Sequence, residues 1–186
     1  MSTFTGRMGP TRSTNDMATL NKGRYTADLG DRDDIVVFII GMRINRLWKV
    51  WKWMPVAVAM PRMLRELSKD RSLGLLGTPR TMVSGRVVTV LQYWESFEAL
   101  ERYSRSGDQL HLPAWRGFNR NVRNNGSVGI WHETYCVARG QVETVYGNMP
   151  PFGLGAATNL VPATAGRVSA AARLGRDDAG QPVEPY

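Results

Sequence analysis

The chain is poor in reactive side chains: it has one cysteine, Cys136, and two histidines, His111 and His132. A lone cysteine excludes an internal disulfide and any cysteine-cluster metal site, and it fits a reducing, cytoplasmic setting. Long apolar runs are missing as well. No window reaches the roughly 18 consecutive apolar residues that a membrane span requires. The nearest, residues 47–61, is interrupted by Lys49 and Lys52. Residues 1–16 contain no apolar core of signal-peptide length, so export by that route is not expected. Acidic groups are outnumbered, 16 against 24 lysines and arginines, for a net charge of +8. The cations are scattered from Arg7 to Arg176 without a dense run, so they read as a basic surface rather than a nucleic-acid footprint.

A length of 186 residues and an apolar content of 42% describe one domain with a real core. Residues 1–32 are polar and glycine-punctuated, and read as an irregular arm. At 35–40 the run Ile-Val-Val-Phe-Ile-Ile has the signature of a central strand buried on both faces. Residues 47–70 follow as helix. Pro55 and Pro61 are expected to split it into two pieces, near 46–54 and 57–70. A β-hairpin over 79–94 turns at Ser84-Gly85. Ser96 caps a helix whose apolar stripe is Phe97, Leu100 and Tyr103. A strand over 128–137 is expected to return through Arg139-Gly140 as a second hairpin. Residues 163–186 read as a loose tail with one short helix over 169–174. The domain proper is therefore 33–162. Its element order predicts an α+β fold of the ferredoxin-like type, an antiparallel sheet with helices on one face. The bare face predicts a homodimer.

Both histidines fall in 108–135, which reads as loop, helix, turn at Asn125-Gly126, and strand. Pro113 suits the first turn of a helix and pushes Leu112 toward extended backbone, which puts His111 at the helix entrance. In that helix Trp115, Phe118 and Val122 form an apolar stripe, while Arg116, Arg120 and Arg123 form a cationic one. On the strand, alternation places His132 with Ile130, Thr134 and Cys136, and turns Trp131, Glu133 and Tyr135 the other way. Each residue also has a plainer role. A histidine on a half-buried strand is commonly a hydrogen-bonded core residue, and one beside a proline can be a cap. Tryptophans are commonly core, and an arginine stripe is commonly a solvated face. Cys136 reads as buried packing.

The segments YWESFEALERYSRSGDQLHLPAWRGFNR and GSVGIWHETYCVARGQVETVYGNMPPFGLG resemble the monooxygenase-like group of the dimeric α/β-barrel superfamily. The blocks HLPAW, GIWHETY and NMPPFGLG carry the resemblance. A more distant similarity is to the haem-containing aldoxime dehydratases, in which one histidine near a helix ligates the iron and a second, on a following strand, acts from the opposite side. His111 and His132 stand in that order, 21 residues apart. The serine and arginine that complete the dehydratase site are not placed by the resemblance.

The resemblance implies a ferredoxin-like dimeric α/β barrel and a small apolar substrate held between sheet and helices. It makes His132 an acid/base group, since imidazole titrates near neutral pH. If haem is bound, His111 is its iron ligand, and Arg116 or Arg43 pairs with propionates or an anionic substrate group. Trp115, Trp131 and Thr134 are the candidate substrate contacts. Three activities follow: a monooxygenase-like oxidoreductase with haem or without a cofactor, a haem lyase, or a non-catalytic binding protein.

Overall fold

Residues 34–44 run Asp-Ile-Val-Val-Phe-Ile-Ile-Gly-Met-Arg-Ile, a β-branched and aromatic series that favours extended backbone and has apolar groups for both faces. The computed structural model of the chain describes residues 20–106, 126–164 and 166–177. In it, strand β1 (Asn21–Asp28) leads to that central strand, β2 (Asp34–Ile44). Helix α1 (Val50–Lys69), the hairpin of β3 (Leu75–Ser84) and β4 (Val87–Trp94), and helix α2 (Phe97–Arg105) follow. Then come β5 (Val128–Ala138), β6 (Tyr146–Met149), the short helix α3 (Gly153–Ala157), β7 (Asn159–Pro162) and the one-turn helix α4 (Ala170–Arg173).

The main sheet has the order β3-β4-β2-β5, and all its pairs are antiparallel. With α1 between β2 and β3 and α2 between β4 and β5, this is the ferredoxin-like arrangement. Both long helices lie on the sheet face that carries Val36, Phe38, Trp94 and Gln92. There Val36, Trp94, Leu67, Leu100, Ala99 and Tyr103 form the principal core. Trp94 is wholly buried. Toward the other end of α1, Trp53, Val56 and Ala57 pack on Met42 and Val128.

A smaller sheet, β6-β1-β7, covers one end of the reverse face, where Leu29, Ile35 and Leu154 make a second core. The rest of that face stays open. Ile39 and Leu91 are partly exposed, and Tyr135 and Met82 are about half exposed at 50% and 51%.

Several local signals behaved as read. Ser96 Oγ accepts from Ala99 N–H at 3.2 Å and starts α2. Gly85 (φ 56°) and Gly126 (φ 67°) adopt the left-handed conformations that their turns require. The helix expected near 169–174 is present as α4.

Five features differ. Helix α1 is continuous through Pro55 and Pro61. Each proline removes one backbone donor, both lie exposed on the outer side, and packing of the opposite stripe holds the helix together. The expected arm contains β1, whose polar sequence shows no strand pattern because its pairing with β6 and β7 is wholly non-local. Residues 1–19 lie outside the described part.

The hairpin expected after β5 does not form. Arg139 N–H instead donates to Asp33 O at 2.8 Å, and its guanidinium donates to the carbonyls of Gly30 and Arg32. These bonds direct the chain toward β1. The tail through residue 177 is anchored, because Arg173 pairs with Glu143 at 2.5 Å and donates to the carbonyls of Arg167 and Val168. Finally, Cys136 is exposed, since β5 is an edge strand.

Candidate active site

Between the helix-bearing face of the sheet and helices α1 and α2 lies an apolar cleft with a cavity volume of about 40 Å³. Its floor is Phe38 and Ile40 from β2 with Gln92 and Trp94 from β4. Helix α1 supplies Met60, Met63, Leu64 and Leu67 at spacings of three and four, and α2 supplies Leu100, Tyr103 and Ser104. The cavity holds a few water-sized groups as it stands. Two methionines on one wall give it a side that can re-pack around a larger guest.

Polar groups in the cleft are few. Trp94 Nε1–H donates to Gln92 Oε1 at 2.9 Å, and both residues are buried. Tyr103 donates its hydroxyl to Glu66 Oε2 at 3.2 Å. Burial first, and then the Glu66 carboxylate, push the Tyr103 hydroxyl above its ordinary value, so at neutral pH it is a protonated donor. The sequence alone does not mark Gln92, Phe38 and Tyr103 as site residues. One signal was available for Gln92, the lone amide in a largely apolar stretch, RVVTVLQYW.

His132 lies on the same sheet face as the cleft, opposite Ile40 in the register. It is exposed, and its ring lies 5.7 Å from that of Phe38, which lines the cleft. Thr134, opposite Phe38, shares the face and is also exposed. These two stand together as the alternation predicts.

Arg43 and Trp131 stand apart from them. Arg43 belongs to the reverse face, where its guanidinium donates to Asn45 Oδ1. Trp131 is opposite Gly41 on that same reverse face, close enough that a Cβ at Gly41 would fall 2.7 Å from its Nε1. His111, Trp115 and Arg116 lie outside the described residues.

A haem needs an axial ligand and a slot the size of a porphyrin. The described residues offer one imidazole, exposed on an edge strand, and a cavity of about 40 Å³. They contain no group of three or more His, Cys, Asp or Glu side chains placed to hold a metal ion. By themselves they do not fit a haem.

The sequence model described as "Monooxygenase af470-like" matches residues 35–154, which spans β2, both long helices, the hairpin, β5 and the start of α3. The chain belongs to the monooxygenase af470-like family. This family member is 29% identical over 206 aligned residues to monooxygenase af470 of Aspergillus fumigatus, across 87% of this chain and 70% of that protein. Among solved structures it is similar to an aldoxime dehydratase in complex with butyraldoxime, with a TM-score of 0.58 and 16% identity over 73% of this chain and 43% of that one. A second aldoxime dehydratase structure gives a TM-score of 0.58 with 18% identity, over 70% of this chain and 39% of that one. The chain thus spans less than half the length of these dehydratases, and the likeness is one of fold.

No helix among the described residues is long and apolar enough to cross a membrane.

Proposed function

We propose that the chain is a monooxygenase-like oxidoreductase, acting as a homodimer in the cytoplasm on a small apolar organic molecule held between sheet and helices. The observation that carries the reading is the apolar cleft between β2, β4, α1 and α2, inside the stretch that matches the family. A concave, mostly apolar site with a few placed polar groups is the usual form of a small-molecule pocket. His132 is the acid/base group, reaching the substrate from the edge strand over Phe38, with Thr134 beside it. Arg43 and Trp131, on the reverse face, take part through the surface that a second copy covers. Trp115 remains a candidate substrate contact.

The test is incorporation of label from isotopic dioxygen into small apolar compounds preselected by thermal stabilisation of the protein, read by mass spectrometry. Label in product, lost in His132→Ala, supports the reading. Stabilising compounds returned unchanged under dioxygen overturn it.

A second reading is a haem-dependent lyase of the aldoxime-dehydratase kind, favoured by the order and spacing of His111 and His132 within a shared fold. In it His111 holds the iron and Arg116 a propionate. Protein purified from haem-supplemented cells would then show an intense visible band that His111→Ala abolishes. A colourless protein that fails to take up added haem removes this reading.

A further inference from the structure

The cleft holds an amide whose orientation is fixed. The Trp94 indole nitrogen can only donate, so the Gln92 atom that receives its hydrogen bond at 2.9 Å is the carbonyl oxygen. The Gln92 NH2 group must then point elsewhere. Gln92 is 4% exposed, it lines the cleft, and its NH2 group makes no hydrogen bond among the described residues. The NH2 group is thus left to the space that Gln92 lines. For a residue buried on all other sides, that space is the cleft.

A buried donor of this kind favours a guest that can accept a hydrogen bond. Around it, Ile40, Leu64, Leu67 and Leu100 accept no hydrogen bonds and disfavour a charged or strongly hydrated group. We infer that Gln92 is the polar anchor of the cleft, donating through its NH2 group to a carbonyl oxygen on an otherwise apolar ligand. The inference rests on the cleft being the substrate site and narrows the substrate class to apolar molecules that carry a carbonyl. Trp94 acts as the positioning residue, because its indole prevents the amide from flipping. Gln92 itself makes the contact.

The test compares two probes of nearly equal size, cyclohexanone and methylenecyclohexane, on the full chain. Affinity is read by titration calorimetry, and the contact by the Gln92 side-chain NH2 signals in ¹H–¹⁵N spectra. The ketone is expected to bind about tenfold more tightly, the loss expected for one hydrogen bond to a buried donor, and to shift the Gln92 NH2 signals. Gln92→Met, similar in length and apolar, should erase the preference while still binding methylenecyclohexane, which also reports that the cleft is folded. Should that variant not fold, Trp94→Phe provides the second route. It frees the amide to rotate and should reduce the preference while keeping affinity for the hydrocarbon. Equal affinities in the unaltered protein, or a preference that survives in Gln92→Met, overturn the role of Gln92 and leave the cleft reading standing. Failure of both probes to bind overturns both.

Discussion

The rings of Phe38 and His132 lie 5.7 Å apart, tilted by 42°, across the pair of strands β2 and β5. One side chain therefore separates the imidazole from the apolar cleft that Phe38 lines. The relationship depends on register: Phe38 and His132 are on the same sheet face because β2 and β5 pair with Ile40 opposite His132. A slip of one residue would turn the imidazole to the other side.

His132→Ala should lower turnover by about 10²- to 10⁴-fold, the usual contribution of a positioned acid/base group. Its exposure means stability should move by no more than about 0.5 kcal/mol. Product formation together with urea unfolding separates the two effects, and turnover unchanged in the variant removes the acid/base role.

Gly41→Ala tests the close packing of β2 between its neighbours. An added Cβ would fall 2.7 Å from the backbone oxygen of Val88 as well as from Trp131 Nε1, and the backbone oxygen has little room to yield. A loss of about 1–3 kcal/mol is expected, as for other overpacked sites, measured by urea denaturation at constant slope.

Tyr103 gives an alkaline signature. Its hydroxyl is raised above its ordinary value near 10, chiefly by burial and then by Glu66. The folded state thus holds the phenolic proton more tightly than the unfolded chain does. The associated stability is fully present below pH 10 and is lost as pH rises from there through the folded-state value. Stability measured against pH should therefore fall above pH 10, and Tyr103→Phe should flatten that fall. An identical slope in the variant would refute the assignment.

Arg173→Ala should cost about 1.5–3 kcal/mol, the range for hydrogen bonds to charged groups. The Arg173 side chain is only 6% exposed and joins Glu143 to the carbonyls of Arg167 and Val168. Arg173→Lys should recover little, because one ammonium cannot serve those three directions at once. Guanidinium-chloride unfolding of the two variants provides the comparison.

The open part of the reverse face predicts a dimer. Light scattering at micromolar concentration should give twice the chain mass. Tyr135→Arg combined with Met82→Glu, which places charges on exposed apolar positions of that face, should give the monomer mass. A monomer in the unaltered protein would contradict the homodimer.

Much of the framework was legible in the residues alone. The apolar run at 35–40 announced the central strand, because β-branched and aromatic residues favour extended backbone, although only Ile35 and Val36 of the six are fully buried and the expected cover on both faces is incomplete. Ser96 marked the start of α2 and Gly85 the hairpin turn, since caps and left-handed turns depend on single local residues. Alternation along β5 placed His132 with Thr134 and away from Trp131, as the strand period requires. What the sequence could not determine was everything that depends on distant partners. The place of β1 between β6 and β7, the departure of the chain from β5 at Arg139, and the anchoring of the tail by Arg173 all join segments far apart in the chain. Local propensity has no means of registering such contacts. The same is true of the cleft: Gln92 is a polar residue without a marked role until Trp94, two residues on, fixes its oxygen and two helices wall the cleft that it lines. Strand period puts those two side chains on one face. Only packing of α1 and α2 makes that face the floor of a site.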